Sequence, residues 1–366
     1  MKRVRIFAYT KVNLGDDLFI KILCERYNSS IFIIYAPKIY KKIFENINNL
    51  KVIPSDKIFN RAWGFICRKI NRVNYLDRKL SMDVDAIVQI GGSLFIQNNS
   101  WRNKFDLITK PKVIEGKEVF LLGANFGPYT DNEYYELHKE LFRKYSDICF
   151  RDKYSFNKFK DLPNVRIADD IIFGIKGKDE KGEKKNNNAL ISVIKPSLKG
   201  VDGYDDIYYK KMKEISERLI EDGMDVTLMS FCKGEGDEEA IQKIISIVDK
   251  KYKCKISTYN YRGDLDEALK IIDNSKLVVS SRFHGMILGF VYNKHVLPVI
   301  YSNKMLNVIK DLKFMGDYTD IKNIEDFKVE SIDFFSNKNK LDIEKARKTS
   351  NNHFLKLDIF LNDSIK

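Results

Sequence analysis

The segment KLVVS, Lys276–Ser280, is followed at once by SRFHGMILGF, Ser281–Phe290. The apolar run predicts a short buried strand, and the residues after Arg282 predict a helix. The loop between them places a guanidinium and the imidazole of His284 beside the free N–H groups of a helix N-terminus, a combination that binds anions. The stretch therefore predicts a strand–loop–helix unit with an anion site at the carboxyl end of the strand.

The same alternation of apolar strands and helices continues along the chain in both directions. The predicted strands are Val4–Tyr9, Ser30–Ala36, Ala86–Ile90, Glu118–Leu122, Asp147–Arg151, a further strand-like piece near Arg166–Ile172, Ala189–Ile194, Asp225–Ser230, Lys255–Ser257, Leu277–Ser280 and Val296–Tyr301. The segment between Ala36 and about Lys79 is basic and aromatic and is predicted to be helical, with Ile58 to Ile70 as its clearest amphipathic part. Strands that alternate with helices are typical of parallel sheets. At 366 residues the chain exceeds the roughly 250–300 residues that one core organises. We therefore predict an α/β fold with two Rossmann-like domains, whose parallel sheets face an interdomain cleft.

A charged segment without apolar residues separates the two series of strands. It is KGKDEKGEKKNNN, Lys176–Asn188, and its composition is typical of a linker. We predict an N-terminal domain over residues 1–176 and a C-terminal domain over residues 189–366. The last helical stretch, Leu341–Leu361, could pack back across the domain junction.

The composition is that of an ordinary soluble globular protein, with 44% hydrophobic and 31% charged residues. The net charge of +13 is compatible with a nucleic-acid or membrane-surface partner. The basic residues are scattered along the whole length, however, so we expect a solvated surface and no nucleic-acid partner. No run approaches the roughly 18 apolar residues of a spanning helix, which leaves only peripheral membrane association open.

Five cysteines are present, an odd number without CxxC spacing: Cys24, Cys67, Cys149, Cys232 and Cys254. Free thiols explain them better than metal ligands, and we expect no metal site. The chain enters a strand directly after Met1-Lys2, with no apolar signal-peptide segment. These features predict a cytoplasmic protein, with the inner face of the membrane as an open alternative. The sequence gives no indication of an oligomeric state.

The turn NLGDD, Asn13–Asp17, links the first predicted strand to its helix. Gly15 would permit a close approach of the backbone, and Asp16 and Asp17 place two carboxylates at the helix start. Asn13 and the two aspartates could instead only cap the helix, since such residues are common at helix N-termini. The turn is therefore a candidate site with a structural alternative.

Two further strands end in residues that suggest a site. Gly91-Gly92 follows one of them, and Arg151 ends another. Because ligands of doubly wound sheets lie beyond the carboxyl ends of the strands, these loops should line one crevice. Arg151, followed by a Ser-capped helix, would point a cation into that crevice. It could equally pair with Asp152 or another carboxylate.

The loop after Ser280 also has two interpretations. Arg282 could be a buried cation paired with a carboxylate, and His284 could be bonded to backbone. The functional interpretation is favoured because a cation, a titratable imidazole and a helix start occur together. Lys304 follows the next strand and should reach the same sheet edge. Asp237 is a further acidic candidate, although a helix cap explains it better.

Four segments together resemble the polysaccharide pyruvyl transferase family. They are NLGDD at Asn13–Asp17, GGSLF at Gly91–Phe95, FRDKYS at Phe150–Ser155, and SSRFHG at Ser280–Gly285 followed by YSNK at Tyr301–Lys304. Each is short, but they occur in the family's order and span almost the whole chain. The family typically has Leu where this chain has Phe283, an exchange that should keep the loop and reshape the pocket.

The resemblance implies transfer of pyruvate from phosphoenolpyruvate to a sugar of a cell-surface or exopolysaccharide precursor, as a ketal, with release of phosphate. The implied fold is GT-B-like, with the acceptor on the N-terminal side and the donor on the C-terminal side. No cofactor besides the donor substrate is implied, and the saccharide acceptor could be lipid-linked. The matched substrate-binding positions are Asn13, Gly91, Gly92, Arg151, Arg282 and Lys304.

The chemistry of this reaction assigns roles to the matched side chains. His284 is the candidate general acid, and Arg151 and Arg282 would hold the carboxylate and phosphate of the donor. Lys304 would ease the departure of phosphate. Asp16 or Asp17 could act as the base toward the acceptor hydroxyl.

Two other functions remain open at the level of sequence. A GT-B glycosyltransferase that uses a nucleotide sugar would need the same architecture and a basic phosphate site, and fold alone does not separate the two. A non-catalytic basic binding protein would instead show salt-dependent affinity for nucleic acid that is unaffected by His284→Ala.

Overall fold

Two parallel β-sheets organise the chain in the computed structural model, which describes residues 1–58, 75–177 and 187–362. The chain divides into two compact units around these sheets. The first unit comprises Met1–Thr10, Asp16–Ile171 and Lys348–Lys366, and the second comprises Lys11–Gly15 and Ile172–Arg347. Each unit is built from strands that alternate with helices, so the predicted α/β class is confirmed.

The sheet of the first unit has seven strands in the order β3-β2-β1-β4-β5-β6-β7, all parallel. The strands are β1 Arg3–Phe7, β2 Ile31–Ala36, β3 Leu50–Pro54, β4 Ala86–Ile90, β5 Glu118–Ala124, β6 Asp147–Phe150 and β7 Val165–Ile167. The order reverses between β1 and β4. In open α/β sheets this is the point at which the loops part and leave a crevice for ligands.

The sheet of the second unit has six strands in the order β10-β9-β8-β11-β12-β13, again all parallel. The strands are β8 Asn188–Ser192, β9 Asp225–Ser230, β10 Ile256–Asn260, β11 Leu277–Ser280, β12 His295–Ile300 and β13 Thr319–Asp320. Here the order reverses between β8 and β11. The strand of the KLVVS segment, β11, thus lies at the reversal, and its carboxyl end is where a ligand is expected.

The α-helices of the described residues connect or cover these strands. They are α1 Leu14–Arg26, α2 Tyr40–Ile43, α3 Tyr75–Met82, α4 Trp101–Thr109, α5 Asn132–Phe142, α6 Lys153–Phe159, α7 Asp205–Glu221, α8 Asp237–Ile247, α9 Leu265–Asp273, α10 Phe283–Val291, α11 Asn303–Asp311, α12 Glu344–Ser350 and α13 Leu355–Asn362. Two short 3-10 turns, Pro196–Lys199 and Lys233–Glu235, follow β8 and β9.

The central strands are buried on both faces, which explains their continuous apolar sequences. Every residue of β4 and of β11 is buried. Helix α7 packs against the second sheet through Met212, Ile215 and Leu219, none of which is exposed. The core therefore fixes the strands from both sides and leaves the loops at their ends to carry polar groups.

Two strands were not predicted from the sequence. Strand β3 lies in a segment that its basic and aromatic residues predicted to be helical, but LKVIP pairs with β2 at the edge of the sheet. As an edge strand it is only partly buried, so its apolar pattern is weak. Strand β13 has two residues, too few to give a pattern. The amphipathic segment predicted from Ile58 to Ile70 lies, after residue 58, outside the described residues.

The division of the chain differs from the predicted boundaries of 1–176 and 189–366. The chain passes from the first unit to the second between Ile171 and Ile172. From Lys348 onward it again belongs to the first unit. Residues 178–186 of the predicted linker lie outside the described residues. The predicted C-terminal helix, Leu341–Leu361, is divided into α12, a 3-10 turn at Asn351–Phe354, and α13.

The C-terminal segment is held in the first unit by ionic and backbone contacts. Arg166 donates to Asp147 Oδ1 at 2.7 Å and to the carbonyl of His353 at 2.7 Å. Arg26 pairs with Asp358, with Nη2 and Oδ2 2.7 Å apart. These bonds join residues far apart in sequence, which is why the local pattern did not reveal them.

Candidate active site

A network of buried hydroxyl groups holds the loop that follows β11. Ser280 Oγ donates to the carbonyl of Arg282 at 2.7 Å and lies 2.7 Å from Ser192 Oγ on β8. Ser281 Oγ lies 2.8 Å from the hydroxyl of Tyr208 on α7. All of these polar groups are buried and bonded to one another, as buried hydroxyls generally are. The loop conformation is therefore fixed by the two adjacent strands and a helix.

Gly285 is required by the same network. A Cβ at this position would lie 2.5 Å from Ser280 Oγ and 2.8 Å from Ser192 Oγ. Helix α10 therefore starts close against the ends of β8 and β11, with Arg282 as its extended N-cap residue. This explains the glycine of the SSRFHG segment.

Arg282 is buried and pairs with two carboxylates. Its Nη1 bonds to Glu235 and its Nη2 bonds to Asp237. Asp237 also accepts hydrogen bonds from the backbone N–H groups of Phe231 and Cys232, each at 2.9 Å. The helix cap expected for Asp237 is wrong, because its carboxylate is a buried counter-ion. The Nε of Arg282 is buried and has no hydrogen-bond partner among the described residues.

Lys199 is a second cation at this site. It lies at the end of the 3-10 turn that follows β8, and its Nζ is 2.5 Å from Glu235 Oε2. Burial alone would raise the pKa of Glu235, but the charges of Arg282 and Lys199 outweigh it and lower that pKa to about 2. Glu235 is therefore a carboxylate at neutral pH, shared between two cations.

Lys304 and Tyr301 complete the cluster at the end of β12. The Lys304 ammonium lies 5.4 Å from the centroid of the Tyr301 ring and 5.8 Å from that of Phe283. Burial would raise the pKa of Tyr301, but the charges of Lys304, Lys199 and Arg282 together lower it. One partly buried phenol thus lies within the field of all three cations.

His284 packs against the backbone of Gly15. A Cβ at Gly15 would lie only 1.7 Å from His284 Nδ1, so no other residue fits there without moving the imidazole. The Gly15 N–H donates to Asn13 Oδ1 at 3.1 Å, which makes Asn13 the N-cap of α1. The N–H of Leu14 donates to the carbonyl of Phe231 at 3.2 Å. The NLG part of the NLGDD turn therefore positions the imidazole.

A second cluster lies in the first unit, around Arg151 at the end of β6. Arg151 Nη1 is 2.7 Å from Asp170 Oδ2, and its Nη2 donates to Asn125 Oδ1 at 2.8 Å. Of the two pairings considered, the one with another carboxylate is present, and that carboxylate is Asp170. Asp152 caps α6 by accepting from the Ser155 N–H at 2.8 Å, so the predicted serine cap is wrong.

The two glycines after β4 support this cluster. A Cβ at Gly92 would lie 2.4 Å from Arg151 Nη2 and 2.6 Å from its Cζ, so the guanidinium lies directly on the Gly92 backbone. Gly91 has a φ of +142°, which disfavours other residues. In each unit, therefore, a candidate site side chain lies directly on a glycine: Arg151 on Gly92 in the first unit, and His284 on Gly15 in the second.

The two aspartates of NLGDD have different surroundings. Asp17 is fully buried and accepts a hydrogen bond from the Tyr40 hydroxyl at 2.8 Å. Asp16 is half-buried, and its Oδ1 lies 3.6 Å from the position that a Cβ of Gly91 would take. Of the two, Asp16 is the one with access to a ligand beside the glycine loop.

A sequence profile of the polysaccharide pyruvyl transferase family matches residues 13–303. That range is most of the chain and includes the segments on which the resemblance was based, except that Lys304, the last residue of YSNK, lies one position beyond it. The chain belongs to the polysaccharide pyruvyl transferase family.

Solved structures similar to this pyruvyl transferase family member share its fold at low sequence identity. HepE of Anabaena, solved with UDP and glucose, has 12% identity and a TM-score of 0.56 over 100% of this chain and 99% of its own. The UDP-GlcNAc 2-epimerase of Neisseria meningitidis, bound to UDP-GlcNAc, has 11% identity and a TM-score of 0.63 over 99% and 100%. MnaA of S. aureus, solved with UDP, has 13% identity and a TM-score of 0.59 over 99% and 97%. These similarities confirm the GT-B-like fold class and show nothing beyond the fold.

In this family member the predicted site residues divide between the two units. Asn13, Arg282, His284 and Lys304 lie in the second unit, and Asp16, Asp17, Gly91, Gly92 and Arg151 lie in the first. Sequence reasoning gave no role to Lys199, Glu235, Tyr301, Asn125 or Asp170. Each of these follows a strand at its carboxyl end, and this position is the signal that could have identified them.

In the part of the chain that the structure describes, no helix is long and apolar enough to span a membrane.

Proposed function

We propose that this protein transfers pyruvate from phosphoenolpyruvate to a saccharide as a ketal and releases phosphate. The observation that carries the proposal is the cation cluster of the second unit, in which Arg282 and Lys199 share Glu235 and the charges of both, with that of Lys304, act on the partly buried Tyr301. The cluster lies at the carboxyl ends of adjacent strands, next to His284. A donor with both a carboxylate and a phosphate suits such a set of charges.

The proposed binding of the donor uses the geometry of each cation. A guanidinium forms paired hydrogen bonds with planar or tetrahedral oxyanions, and this favours Arg282 as the main contact. Lys304, at the start of α11, would stabilise the charge that builds up on the departing phosphate. In the first unit, Arg151 is the candidate for binding an anionic substrate group, although Asp170 and Asn125 already hold it.

The proposed reaction proceeds without a change of oxidation state. Protonated His284 gives a proton to the methylene carbon of the donor, and the adjacent carbon accepts the first acceptor hydroxyl. The bond from that carbon to the phosphate oxygen then breaks, and inorganic phosphate leaves with the bonding electrons. A second acceptor hydroxyl closes the ketal, and the protons lost by the two hydroxyls restore His284 and balance the phosphate.

The acceptor hydroxyl needs a base, and Asp16 is the better candidate. Asp17 is buried and occupied by Tyr40, whereas Asp16 lies next to the Gly91 loop. The acceptor in this proposal is a free or lipid-linked saccharide of a cell-surface polysaccharide precursor. The proposed reaction takes place in the cytoplasm and uses neither a cofactor nor a metal. The free state of Cys24, Cys149, Cys232 and Cys254 supports a reducing compartment.

The test is a screen of phosphoenolpyruvate with candidate saccharides, read by mass spectrometry for the pyruvate ketal. We expect one or more acceptors to gain the ketal with wild-type protein and none with His284→Ala. A chelator should leave the rate unchanged. The proposal fails if phosphoenolpyruvate neither stabilises the protein nor releases phosphate with any acceptor, while a nucleotide sugar does stabilise it.

A further inference from the structure

We propose that Lys199 belongs to the anion site of Arg282 and that Glu235 is the exchangeable counter-ion of this site, which leaves when an anionic ligand binds. The inference rests on the proposed function only for the identity of the ligand group, a phosphate or carboxylate of the donor. The exchange itself takes place among residues of the second unit and can be measured with inorganic phosphate.

The Glu235 carboxylate lies between two cations. Its Oε2 bonds both to Arg282 Nη1 and to Lys199 Nζ, the latter at 2.5 Å. An oxygen held between a guanidinium and an ammonium has the surroundings that an oxygen of a bound phosphate or carboxylate would have. Glu235 thus occupies the place of a ligand anion.

The two carboxylates that contact Arg282 differ in how firmly they are held. Asp237 has no exposed surface and is fixed by the backbone N–H groups of Phe231 and Cys232. The Glu235 side chain is 19% exposed. It lies between two glycines, of which Gly236 has a φ of +82°. A side chain on such a turn can rotate toward solvent while Asp237 keeps Arg282 in place.

The charge balance supports the exchange. Three cations, Arg282, Lys199 and Lys304, act on one partly buried phenol, and Glu235 and Asp237 are the carboxylates that contact Arg282. When Glu235 turns away, this positive charge loses one of the two carboxylates that contact Arg282. A phosphate dianion restores the balance, so its binding compensates for the loss of the Glu235 contacts.

The alternative is that Glu235 is a permanent partner that positions Arg282, and it predicts the opposite result. If Glu235 only positions the guanidinium, its neutralisation should weaken anion binding. If it competes with the ligand, its neutralisation should strengthen binding. The sign of the change therefore decides between the two roles.

The experiment is calorimetric titration of the full-length protein with inorganic phosphate at fixed ionic strength, for wild type and Glu235→Gln. We expect phosphate to bind about tenfold more tightly to Glu235→Gln, because one negative charge is removed from between two cations. Lys199→Gln should bind about tenfold more weakly. Glu239→Gln is the matched control, since Glu239 is an exposed carboxylate of the same unit, paired with Lys195 at 2.6 Å. It should leave phosphate affinity unchanged.

Equal or weaker phosphate binding by Glu235→Gln overturns the counter-ion role, as does the absence of phosphate binding in every variant. Unchanged binding by Lys199→Gln removes Lys199 from the site. Thermal unfolding of each variant shows whether the fold is retained. If Glu235→Gln binds phosphate more tightly but no acceptor is pyruvylated, the counter-ion role holds and the proposed function fails. If an acceptor is pyruvylated but Glu235→Gln does not bind phosphate more tightly, the proposed function holds and the counter-ion role fails.

Discussion

Glycines position two of the candidate site residues of this protein. His284 lies on Gly15 and the Arg151 guanidinium lies on Gly92, each at a distance that excludes a Cβ. The glycines occur in the NLGDD and GGSLF segments, and the side chains occur in SSRFHG and FRDKYS. The four segments therefore form two pairs, in which each glycine makes room for a side chain of the partner segment.

Gly15→Ala tests the first of these pairs. Alanine favours a helix at this position, but its methyl group would displace the imidazole of His284. We expect turnover to fall by about two orders of magnitude or more, the range attributed to a positioned general acid, with little change in thermal stability. Gly177→Ala is a suitable control, because a Cβ there meets its nearest atom at an ordinary 3.6 Å. Wild-type turnover of Gly15→Ala would contradict the assigned role.

Arg282→Ala and His284→Ala should separate binding from chemistry. Loss of the guanidinium leaves the buried Asp237 without its counter-ion and removes the proposed main contact to the donor, so KM for phosphoenolpyruvate should rise steeply. Loss of the imidazole should lower kcat with a much smaller change in KM. Steady-state kinetics and circular dichroism of both variants provide the measurements. Wild-type turnover in either variant would refute its assigned role.

At the scale of single residues, the sequence located the cations but not their partners. Arg282, His284, Lys304 and Arg151 follow strands, and this placement is visible in the pattern. The carboxylates that bind Arg282 are 45 or more positions away in the chain. Only the packing of β9 beside β8, and of β8 beside β11, brings them together, so no local signal could have paired them.

At the scale of elements, buried strands were predicted well because their apolar runs are continuous. Strands β9 and β11 have the predicted bounds. Edge strand β3 was missed because its burial is partial, and the C-terminal helix was predicted as one stretch because its breaks depend on tertiary contacts. The bonds of Asp358 to Arg26 and Tyr27 are an example of those contacts.

Asp358→Asn tests how α13 is held. The carboxylate accepts from Arg26 at 2.7 Å and from the Tyr27 hydroxyl at 2.7 Å. We expect the free energy of unfolding to fall by about 1 kcal/mol, since both groups are partly exposed and such ion pairs contribute little more. Glu115→Gln, an exposed carboxylate, serves as a charge-matched control in denaturant unfolding. An equal decrease in the free energy of unfolding in both variants would show that the contacts of Asp358 do not hold α13 in place.

At the scale of the whole molecule, two buried histidines of the first unit make stability depend on pH. Burial lowers the pKa of His138 to about 4, and burial with the charge of Arg166 lowers that of His353 to about 3. Between pH ~6.5 and these values the unfolded chain binds more protons than the folded one, so stability is lost as the pH falls. Above about pH 6.5 this contribution is fully present.

Denaturant unfolding between pH 7 and pH 4 checks this dependence. His138 alone should account for a loss of about 3 kcal/mol over that interval. His138→Phe places a further ring in an aromatic cluster and should flatten the dependence by that amount. A variant that unfolds with the same pH dependence as wild type would show that His138 does not titrate as proposed.

The α/β architecture with two sheets followed from the alternation of strands and helices and from the length of the chain. The boundaries between the two units did not. The charged Lys176–Asn188 segment suggested the boundary, yet the chain passes from the first unit to the second after Ile171, and the chain from Lys348 onward belongs to the first unit. Composition can predict a linker, but only packing shows to which core a terminal segment returns.

Transfer of label from phosphoenolpyruvate tests the pyruvyl transfer proposal most directly. The donor is labelled in its pyruvyl carbons and incubated with an acceptor glycan and wild-type or His284→Ala protein. Wild-type protein should place the label in the glycan, in step with the release of one phosphate for each ketal formed, and His284→Ala should do neither. Phosphate release without label in any glycan, or glycan labelling only from a nucleotide sugar, would contradict pyruvyl transfer.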